Sequence, residues 1–214
     1  MHWPVPMNPH GNDDRFPKHA DGSRDLDTAW SHTQTWAAME QLPKDKARNI
    51  GVCNYSVPYL EELLREAKTV PAVNQIENHP LLPQGDVVDF CKAQGIHVTA
   101  YSPLGSTGSP LFKTKEVVEV ASEHGVSPGC VLLSYHVARG SSVLAKSVTP
   151  SRIEENMKII ELNKGDMERL EAVHKKNGVT RYGMFDMNEI SGLVLTAGTV
   201  YPAFGVKLGF PDKP

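Results

Sequence analysis

Short apolar segments alternate along the chain with longer segments in which apolar residues recur at helical spacing. Four of the short segments are strand candidates, at positions 50–53, 71–76, 96–101 and 142–145. The first three recur at roughly 24-residue intervals, a spacing that suits one strand and one helix of a parallel sheet. The pattern therefore predicts an α/β fold.

Helical periodicity fills the intervals between these strands. A helix that begins at Ser56 carries Leu60, Leu63 and Leu64 on one stripe, with Pro58 near its start. Residues 2–5 can be the end of a further strand. The remaining helical patterns cover 27–41, the segment with Val87, Val88, Phe90 and Cys91, and the segments 115–123 and 128–139.

Each candidate strand ends in polar or aromatic residues, although a buried parallel strand is expected to be apolar throughout. Any one of these positions could simply begin a solvent-exposed loop. Four in succession favour a shared site on the C-terminal face of a (β/α)8 TIM barrel, where such barrels carry their active sites. The residues are Asn54 and Tyr55, Gln75 and Glu77, Tyr101 and Ser102, and Lys146 and Ser147.

The two ends of the chain lack this alternation. Residues 6–26 are rich in Pro, Gly, Asn, Asp and His, which predicts a long loop. Residues 176–214 contain six of the 17 glycines and little helical period, which predicts an extended C-terminal tail. The whole of 1–214 is interpreted as a single domain.

Composition narrows the class of protein. The net charge of −3 and pI near 6.3 show no excess of basic residues, which nucleic-acid-binding proteins usually have, so we expect no nucleic-acid partner. No apolar run approaches the ~20 residues of a membrane helix, and no signal peptide is recognisable. The three cysteines have no metal-ligand spacing, so we expect no metal, reduced thiols and a cytoplasmic location.

The segment 146–152 carries the best physical signal for a ligand. Thr149 can cap a helix and Pro150 occupies the favoured first helical position. A helix N-terminus attracts anions; Lys146 and Arg152 add charge, and Ser147 and Thr149 add hydroxyl donors. These groups suit a phosphate monoester, whereas the alternative is an ordinary capped helix with two solvated cations.

Five segments in order resemble motifs of the aldo-keto reductase family, from residue 1 to about residue 175. They are the His2-Trp3-Pro4 motif of strand four, the strand-five motif at 51–55, the strand-six motif at 74–80, the strand-seven motif and pyrophosphate loop at 100–105, and the Lys-Ser-x-x-x-x-Arg signature at 146–152.

The resemblance implies an NADPH site. Tyr101 would stack on the nicotinamide, while Asn54 and Gln75 would bind its carboxamide. Cys53 stands where a serine is usual, and a thiol is a weaker hydrogen-bond donor. The remaining implied contacts are Ser102, Leu104 and Ser106 at the pyrophosphate, Lys146, Ser147, Thr149 and Arg152 at the 2′-phosphate, and Glu155 and Asn156 at the adenine.

The resemblance also implies a carbonyl substrate, with His2 as a catalytic residue and Trp3 and the tail as walls of the substrate pocket. The family's general-acid tyrosine, its lysine partner and an aspartate lie on the first three βα units, and nothing in residues 6–26 resembles them. We therefore expect an N-terminally truncated barrel of roughly strands four to eight. Its reduction of an aldehyde or ketone would be impaired, because a positioned general acid raises the reaction rate by a factor on the order of 10²–10⁴.

Two alternatives to a reductase remain open at this stage. One is a cofactor-independent isomerase, cyclase or lyase that uses His2, Glu77 or Tyr101 as acid-base groups. The other is a non-catalytic module that forms a homo-oligomer through open strand edges, since unpaired edges are available for pairing with another chain.

Overall fold

The computed structural model describes residues 1–13, 17–21, 24–106 and 108–182. Four strands form one parallel sheet in sequence order. They are β1 (Val52–Cys53), β2 (Val73–Glu77), β3 (His97–Tyr101) and β4 (Ser142–Val143). The predicted α/β class and parallel sheet are confirmed, although β1 and β4 are shorter than the sequence pattern suggested.

Helices occupy the intervals between the strands, as the periodicity predicts. A 3-10 turn at Pro110–Lys113 precedes the helices that lead into β4. The α-helices are α1 (His32–Met39), α2 (Val57–Glu66), α3 (Gly85–Ala93), α4 (Lys115–His124), α5 (Pro128–Ala138), α6 (Pro150–Glu155), α7 (Lys164–Glu171) and α8 (Val173–Asn177). In the described parts of the chain, no helix has the length and apolar character needed to cross a membrane.

The first helix begins later than the sequence pattern predicted, at His32 rather than near Asp27. The side chain of Asp27 accepts a hydrogen bond from the backbone N–H of Ala29, which holds a turn in place of a helix. Ser31 then forms a capping box with Gln34, and this box begins α1.

The two ends of the chain also differ from the prediction. Residues 2–5 form no strand; the Met1 ammonium donates to the Gly51 carbonyl at 2.8 Å, and the Asn54 side chain donates to the His2 carbonyl at 3.1 Å. One antiparallel bridge joins Met7 to Leu26 and a second joins Lys18 to Arg24 within the predicted 6–26 loop. Helix α8 extends to Asn177. The predicted tail therefore starts slightly later, and its residues 183–214 lie outside the described residues.

One face of the sheet builds a hydrophobic core with the first three helices. Successive strand residues point to opposite faces, so Val52, Ile76 and Val98 share a face. They belong to one buried cluster with Leu60 of α2 and Val87 of α3, both fully buried. Burying each such side chain stabilises the fold by about 1.5–3 kcal/mol. A second cluster joins α4, α5 and α7.

The opposite face of the sheet is polar. Cys53, Gln75 and Thr99 lie in register on β1, β2 and β3, and none of them belongs to either hydrophobic cluster. Asn74, on the core face, instead bonds both backbone groups of Tyr55 and fixes the chain where β1 ends. The sheet thus presents its polar row of residues away from the core.

A buried histidine on α5 makes the fold sensitive to acid. His136 is fully buried, and among the described residues neither ring nitrogen has a hydrogen-bond partner. Burial, together with the charges of Arg139 and His79, lowers the pKa of His136 from 6.5 to about 3. Below pH 6.5 the unfolded chain therefore binds a proton that the folded chain does not.

We predict that proton binding by the unfolded chain lowers the free energy of unfolding as the pH falls from 6.5 to 3, by up to about 1.4 kcal/mol per pH unit. His136→Phe should reduce that slope, as measured by urea unfolding across the pH range. His10→Phe, in an exposed loop, is the matched control and should leave the slope unchanged. An unaltered slope in His136→Phe would contradict this account.

Candidate functional site

Asn54 connects the C-terminal ends of three strands. Its backbone has a φ of 62°, a left-handed conformation that asparagine tolerates better than most residues. Its N–H donates to the Gln75 carbonyl at 2.9 Å, and its side-chain oxygen accepts from the Tyr101 hydroxyl at 2.9 Å. With its bond to the His2 carbonyl, Asn54 brings β1, β2, β3 and the first residues together at one edge.

Cys53 and Gln75 lie side by side in this edge of the sheet. They are register partners on β1 and β2, and both are half-buried. Burial raises the pKa of the Cys53 thiol to about 11, so it is neutral at physiological pH, and its sulfur accepts from the Asn54 amide at 3.3 Å. The Gln75 side chain makes no hydrogen bond with the described residues, which leaves its amide available to a ligand.

A cavity of about 330 Å³ lies between the loop after β3, the start of α5 and helix α6. It brings together six of the residues that the sequence predicted for one cofactor: Leu104, Lys146, Ser147, Arg152, Glu155 and Asn156. Residues three and four apart on a helix share a face. Arg152, Glu155 and Asn156 therefore project from one side of α6 into this cavity.

The cavity lining has more positive than negative charge, with two cations and one acid. Neither Lys146 nor Arg152 forms an ion pair with any acidic side chain in the part of the chain that the structure describes. Both side chains are exposed enough to meet a ligand, and Glu155 is the single acid in the lining. A concave site with an excess of positive charge attracts anions.

Thr149 and Ser106 are among the predicted phosphate contacts that do not line this cavity. Thr149 is the N-cap of α6, but its side chain makes no capping bond; its backbone N–H instead donates to the Ser147 hydroxyl at 3.2 Å. Ser106 is exposed in the loop after β3. Because α6 has only six residues, its helix terminus contributes little, and the side chains of Lys146 and Arg152 dominate the electrostatics.

The loop after β3 turns sharply between the strand end and the cavity. Ser102 has a φ of 49° and its carbonyl accepts from the Gly105 N–H at 2.8 Å, while Gly105 has a φ of 74°. A Cβ at position 105 would lie 2.1 Å from the Ser109 hydroxyl oxygen, so only glycine fits. This turn directs the half-buried Leu104 towards the cavity.

His2 and Trp3 lie at the same end of the sheet as Tyr101. Their rings are 5.9 Å apart, and the His2 backbone is held by Asn54. The His2 side chain is exposed, so a substrate can reach it. The catalytic role of His2 and the pocket role of Trp3 stay predictions.

Glu77 has a structural role that the sequence alone did not reveal. It is fully buried at the end of β2 and accepts hydrogen bonds from the ring of His79 at 2.9 Å and from the backbone of Tyr182. Burial would raise the pKa of Glu77, but these bonds and the charges of His79 and Arg181 outweigh it, so the pKa is lowered. The Glu77 carboxylate therefore stays ionised and hydrogen-bonded, which argues against a role as a catalytic acid.

The opposite wall of the cavity was missed by the sequence analysis. It consists of Phe112 from the 3-10 turn and Ser127, Pro128 and Gly129 at the start of α5. The periodicity predicted α5 as a helix, but only the tertiary packing places its first turn against α6. No local signal in 127–129 identified these residues as part of a site.

Within the described parts of the chain, no group of three or more His, Cys, Asp or Glu residues is arranged to hold a metal ion.

Comparison with known proteins gives a consistent result. Residues 1–175 match the model of the Aldo/keto reductase family. D-galacturonate reductase from Hypocrea jecorina is 51% identical over 218 residues, covering 100% of this chain and 65% of that protein. Glycerol 2-dehydrogenase (NADP(+)) from Saccharomyces cerevisiae is 46% identical over 189 residues, covering 85% of this chain and 61% of that protein.

Solved structures show the same similarity. Aldose reductase from Giardia lamblia superposes with a TM-score of 0.77 at 39% identity, over 86% of this chain and 62% of that one. Aldose reductase from Schistosoma japonicum superposes with a TM-score of 0.77 at 34% identity, over 87% of this chain and 60% of that one. The chain spans roughly three fifths of the length of these relatives. The family match begins at residue 1, so it does not support the predicted N-terminal truncation.

We predict that Glu77→Gln destabilises the fold by about 3 kcal/mol, because it removes one partner of a buried charged cluster. Urea unfolding at neutral pH measures this change. Glu168→Gln is the matched control, since Glu168 is largely exposed and its ion pair with Lys164 is long at 3.8 Å; it should leave the midpoint unchanged. Equal midpoints for wild type and Glu77→Gln would show that the cluster is not structural.

Proposed function

Because this chain belongs to the aldo/keto reductase family, we propose that it carries the NADPH-binding part of an oxidoreductase that reduces an aldehyde or ketone to an alcohol. The observation that carries the proposal is the cavity whose lining holds two cations, Lys146 and Arg152, against a single acid, Glu155. On this proposal, the parallel sheet is an arc of a (β/α)8 barrel, equivalent to roughly strands four to eight.

The cavity fits the adenosine 2′-phosphate end of NADPH in size and charge. Its volume of 330 Å³ is near the lower limit of about 300–1,000 Å³ for small-molecule sites, so it suits one end of a dinucleotide. A guanidinium and an ammonium bind a phosphate through charge-assisted hydrogen bonds. Ser147 adds a hydroxyl, and Glu155 and Asn156 supply polar atoms for the adenine. NADH lacks the 2′-phosphate, so these cations favour NADPH.

The strand ends fit the nicotinamide end. Gln75 offers its amide to the carboxamide, whereas the buried Asn54 amide already bonds to His2, Cys53 and Tyr101 and would have to exchange one of these bonds for its implied contact. The Tyr101 hydroxyl bond to Asn54 fixes the ring that would stack on the nicotinamide. Cys53 stands beside them and contributes a weak hydrogen bond at most, because its thiol is neutral and already accepts from Asn54. The turn from Ser102 to Ser106 lies between the two ends and would follow the pyrophosphate.

Bound NADPH would supply a hydride to the substrate carbonyl. His2 lies at the strand edge near Tyr101, where it would orient that carbonyl, and Trp3 would form a wall of the pocket. Reduction also needs a proton for the developing alkoxide. Nothing in residues 6–26 resembles the segment that carries the family's tyrosine, lysine and aspartate. We propose that these groups come from a segment equivalent to the part of the relatives that this chain does not match.

We predict that the 214-residue chain alone turns over aldehydes about 10²–10⁴ times more slowly than its relative D-galacturonate reductase, because the positioned acid is proposed to come from the segment that this chain does not match. The assay follows NADPH oxidation with D-galacturonate and glyceraldehyde, the compounds for which two relatives from Hypocrea jecorina are named. Turnover equal to that of the relative would show that residues of this chain supply the acid.

We predict that Arg152→Ala weakens NADPH binding at least tenfold and leaves NADH binding unchanged, because only NADPH carries the phosphate that Arg152 would hold. Calorimetry with each nucleotide measures both affinities. Lys164→Ala is the matched control: Lys164 is 91% exposed on α7 and lies outside the cavity. Equal losses for both nucleotides, or no loss, would contradict this assignment of the cavity.

No contact in the described residues favours a cofactor-independent isomerase, cyclase or lyase, since Glu77 is held in its buried cluster and the Tyr101 hydroxyl bonds to Asn54. Such an enzyme would show activity that is unaffected by nucleotide removal and by Arg152→Ala.

A further inference from the structure

A second cavity, of about 820 Å³, lies between α3, the C-terminal end of α5 and the helices α7 and α8. Among the described residues, none lines both this cavity and the proposed nucleotide cavity. Its volume falls within the range of about 300–1,000 Å³ that is usual for small-molecule sites. The second cavity is therefore a separate site, of a size that suits a small organic ligand.

Charge in the second cavity is arranged by depth. Arg181 and His174 are buried, with exposed fractions of 6% and 8%, and Arg139 is half-buried. Water screens exposed charges more than buried ones, so the inner part of the lining is basic. The other charged residues of the lining are all exposed: Asp86, Asp89, Lys92, Glu171 and Lys175.

Two guanidinium groups bond to the residues at the start of α3. Arg139 donates to the Pro83 carbonyl at 3.0 Å. Arg181 donates to the side-chain oxygen of Gln84, the N-cap residue, at 3.3 Å. The Gln84 amide in turn donates to the Glu77 carbonyl, so the Gln84 side chain does not cap the helix. The first N–H groups of α3 therefore lack this cap, and a helix start of this kind attracts an anion.

Arg139 is the cation most available to a ligand. Its bond at the start of α3 and a second bond, to the Asn78 side chain at 2.9 Å, occupy two of its five N–H groups. Its Nε lies 4.0 Å from a carboxylate oxygen of the exposed Glu171, and an exposed ion pair of this length contributes little. The charge of Arg181, in contrast, already acts on Glu77 and lowers the pKa of that carboxyl.

His174 gives an independent indication of a ligand. It is buried and lines the second cavity. Its ring lies near the Glu171 backbone, but among the described residues its Nδ1 has no partner at hydrogen-bonding geometry. Buried polar atoms in proteins are normally paired, so a polar ligand atom in the cavity would complete the hydrogen bonding of this side chain.

Apolar side chains line the same cavity. Leu82 and Val88 are buried and Met167 is half-buried, so they offer a surface to the apolar body of a ligand. A ligand with one negative charge fits better than a dianion, because Arg139 is the main cation inside and the exposed acids of the lining repel a second negative charge.

We propose that the second cavity binds an amphipathic organic monocarboxylate, whose carboxylate bonds to Arg139 beside the start of α3 and whose apolar body packs on Leu82, Val88 and Met167. A guanidinium and a carboxylate form two parallel charge-assisted hydrogen bonds, which orient the ligand. The inference does not rest on the nucleotide site, since the two cavities have separate linings.

The test titrates the 214-residue chain with octanoate and follows backbone amide shifts by NMR and affinity by calorimetry. We expect saturable shifts at residues 84–92 and 138–139. Octanamide has the same apolar body without the charge and should bind about tenfold more weakly. Octyl phosphate, a dianion near neutral pH, should also bind more weakly than octanoate.

Three variants test the assignment of the carboxylate. Arg139→Gln should weaken octanoate binding about tenfold and leave octanamide binding unchanged, because it removes only the charged partner. Asp86→Asn should tighten octanoate binding about threefold, because it removes an exposed negative charge from the lining. Arg65→Gln is the matched control: Arg65 is exposed on α2 and outside the cavity, so the affinity should be unchanged.

If Arg139→Gln lowers the unfolding midpoint, Lys175→Glu replaces it. Lys175 is exposed in the lining, so the change leaves the packing intact while it adds negative charge. It should weaken octanoate binding and leave octanamide binding unchanged.

The other outcomes overturn the proposal. Equal affinity for octanoate and octanamide would show that the cavity does not select an anion, and tighter binding of octyl phosphate would exclude the monocarboxylate class. The absence of saturable shifts at residues 84–92 would exclude the site. Arg152→Ala should leave octanoate binding unchanged, so this result and that of the nucleotide titration are distinguishable.

Discussion

The parallel register of β1 to β4 is the constraint on which the rest of the structure depends. Because all four strands run in the same direction, their C-terminal ends meet at one edge, and residues far apart in the chain become neighbours there. Asn54 then ties that edge together through the Gln75 carbonyl, the Tyr101 hydroxyl and the His2 carbonyl. The left-handed backbone at Asn54 allows its side chain and its N–H to serve different strands at once.

The charge distribution separates the two ends of the proposed cofactor site. At the strand edge the groups are neutral: an amide at Gln75, a thiol at Cys53 and a phenol at Tyr101. At α6 the groups are Lys146 and Arg152 with one acid, Glu155, so positive charge is in excess there. This arrangement matches a ligand with a neutral aromatic amide at one end and a phosphate dianion at the other.

The sequence predicted the sheet and most of the helices, because apolar periodicity reports which side of an element is buried. It placed α2, α3, α4 and α5 closely, since each has a clear stripe or a proline near its start. It extended α1 too far, because the competing turn at Asp27 is stabilised by a single side-chain bond that periodicity does not show.

Sites were predictable where they lie within one segment. Lys146, Ser147 and Arg152 follow a strand end in a recognisable order, so the family resemblance assigned them a role, and the structure brings them to one cavity. The Ser127–Gly129 wall and the Glu77–His79–Arg181–Tyr182 cluster depend on contacts across tens of residues. Those contacts arise from packing, which local sequence does not encode.

The most direct test of the account is a calorimetric comparison of three small ligands that contain only the adenosine end. Adenosine 2′,5′-bisphosphate should bind the unaltered chain at least tenfold more tightly than adenosine 3′,5′-bisphosphate, which carries the same charge in another position, and than AMP. Equal affinity for the two bisphosphates would show that the cavity attracts anions without recognising the 2′-phosphate. That result, or no binding at all, would contradict the assignment of this chain as the NADPH-binding part of a reductase.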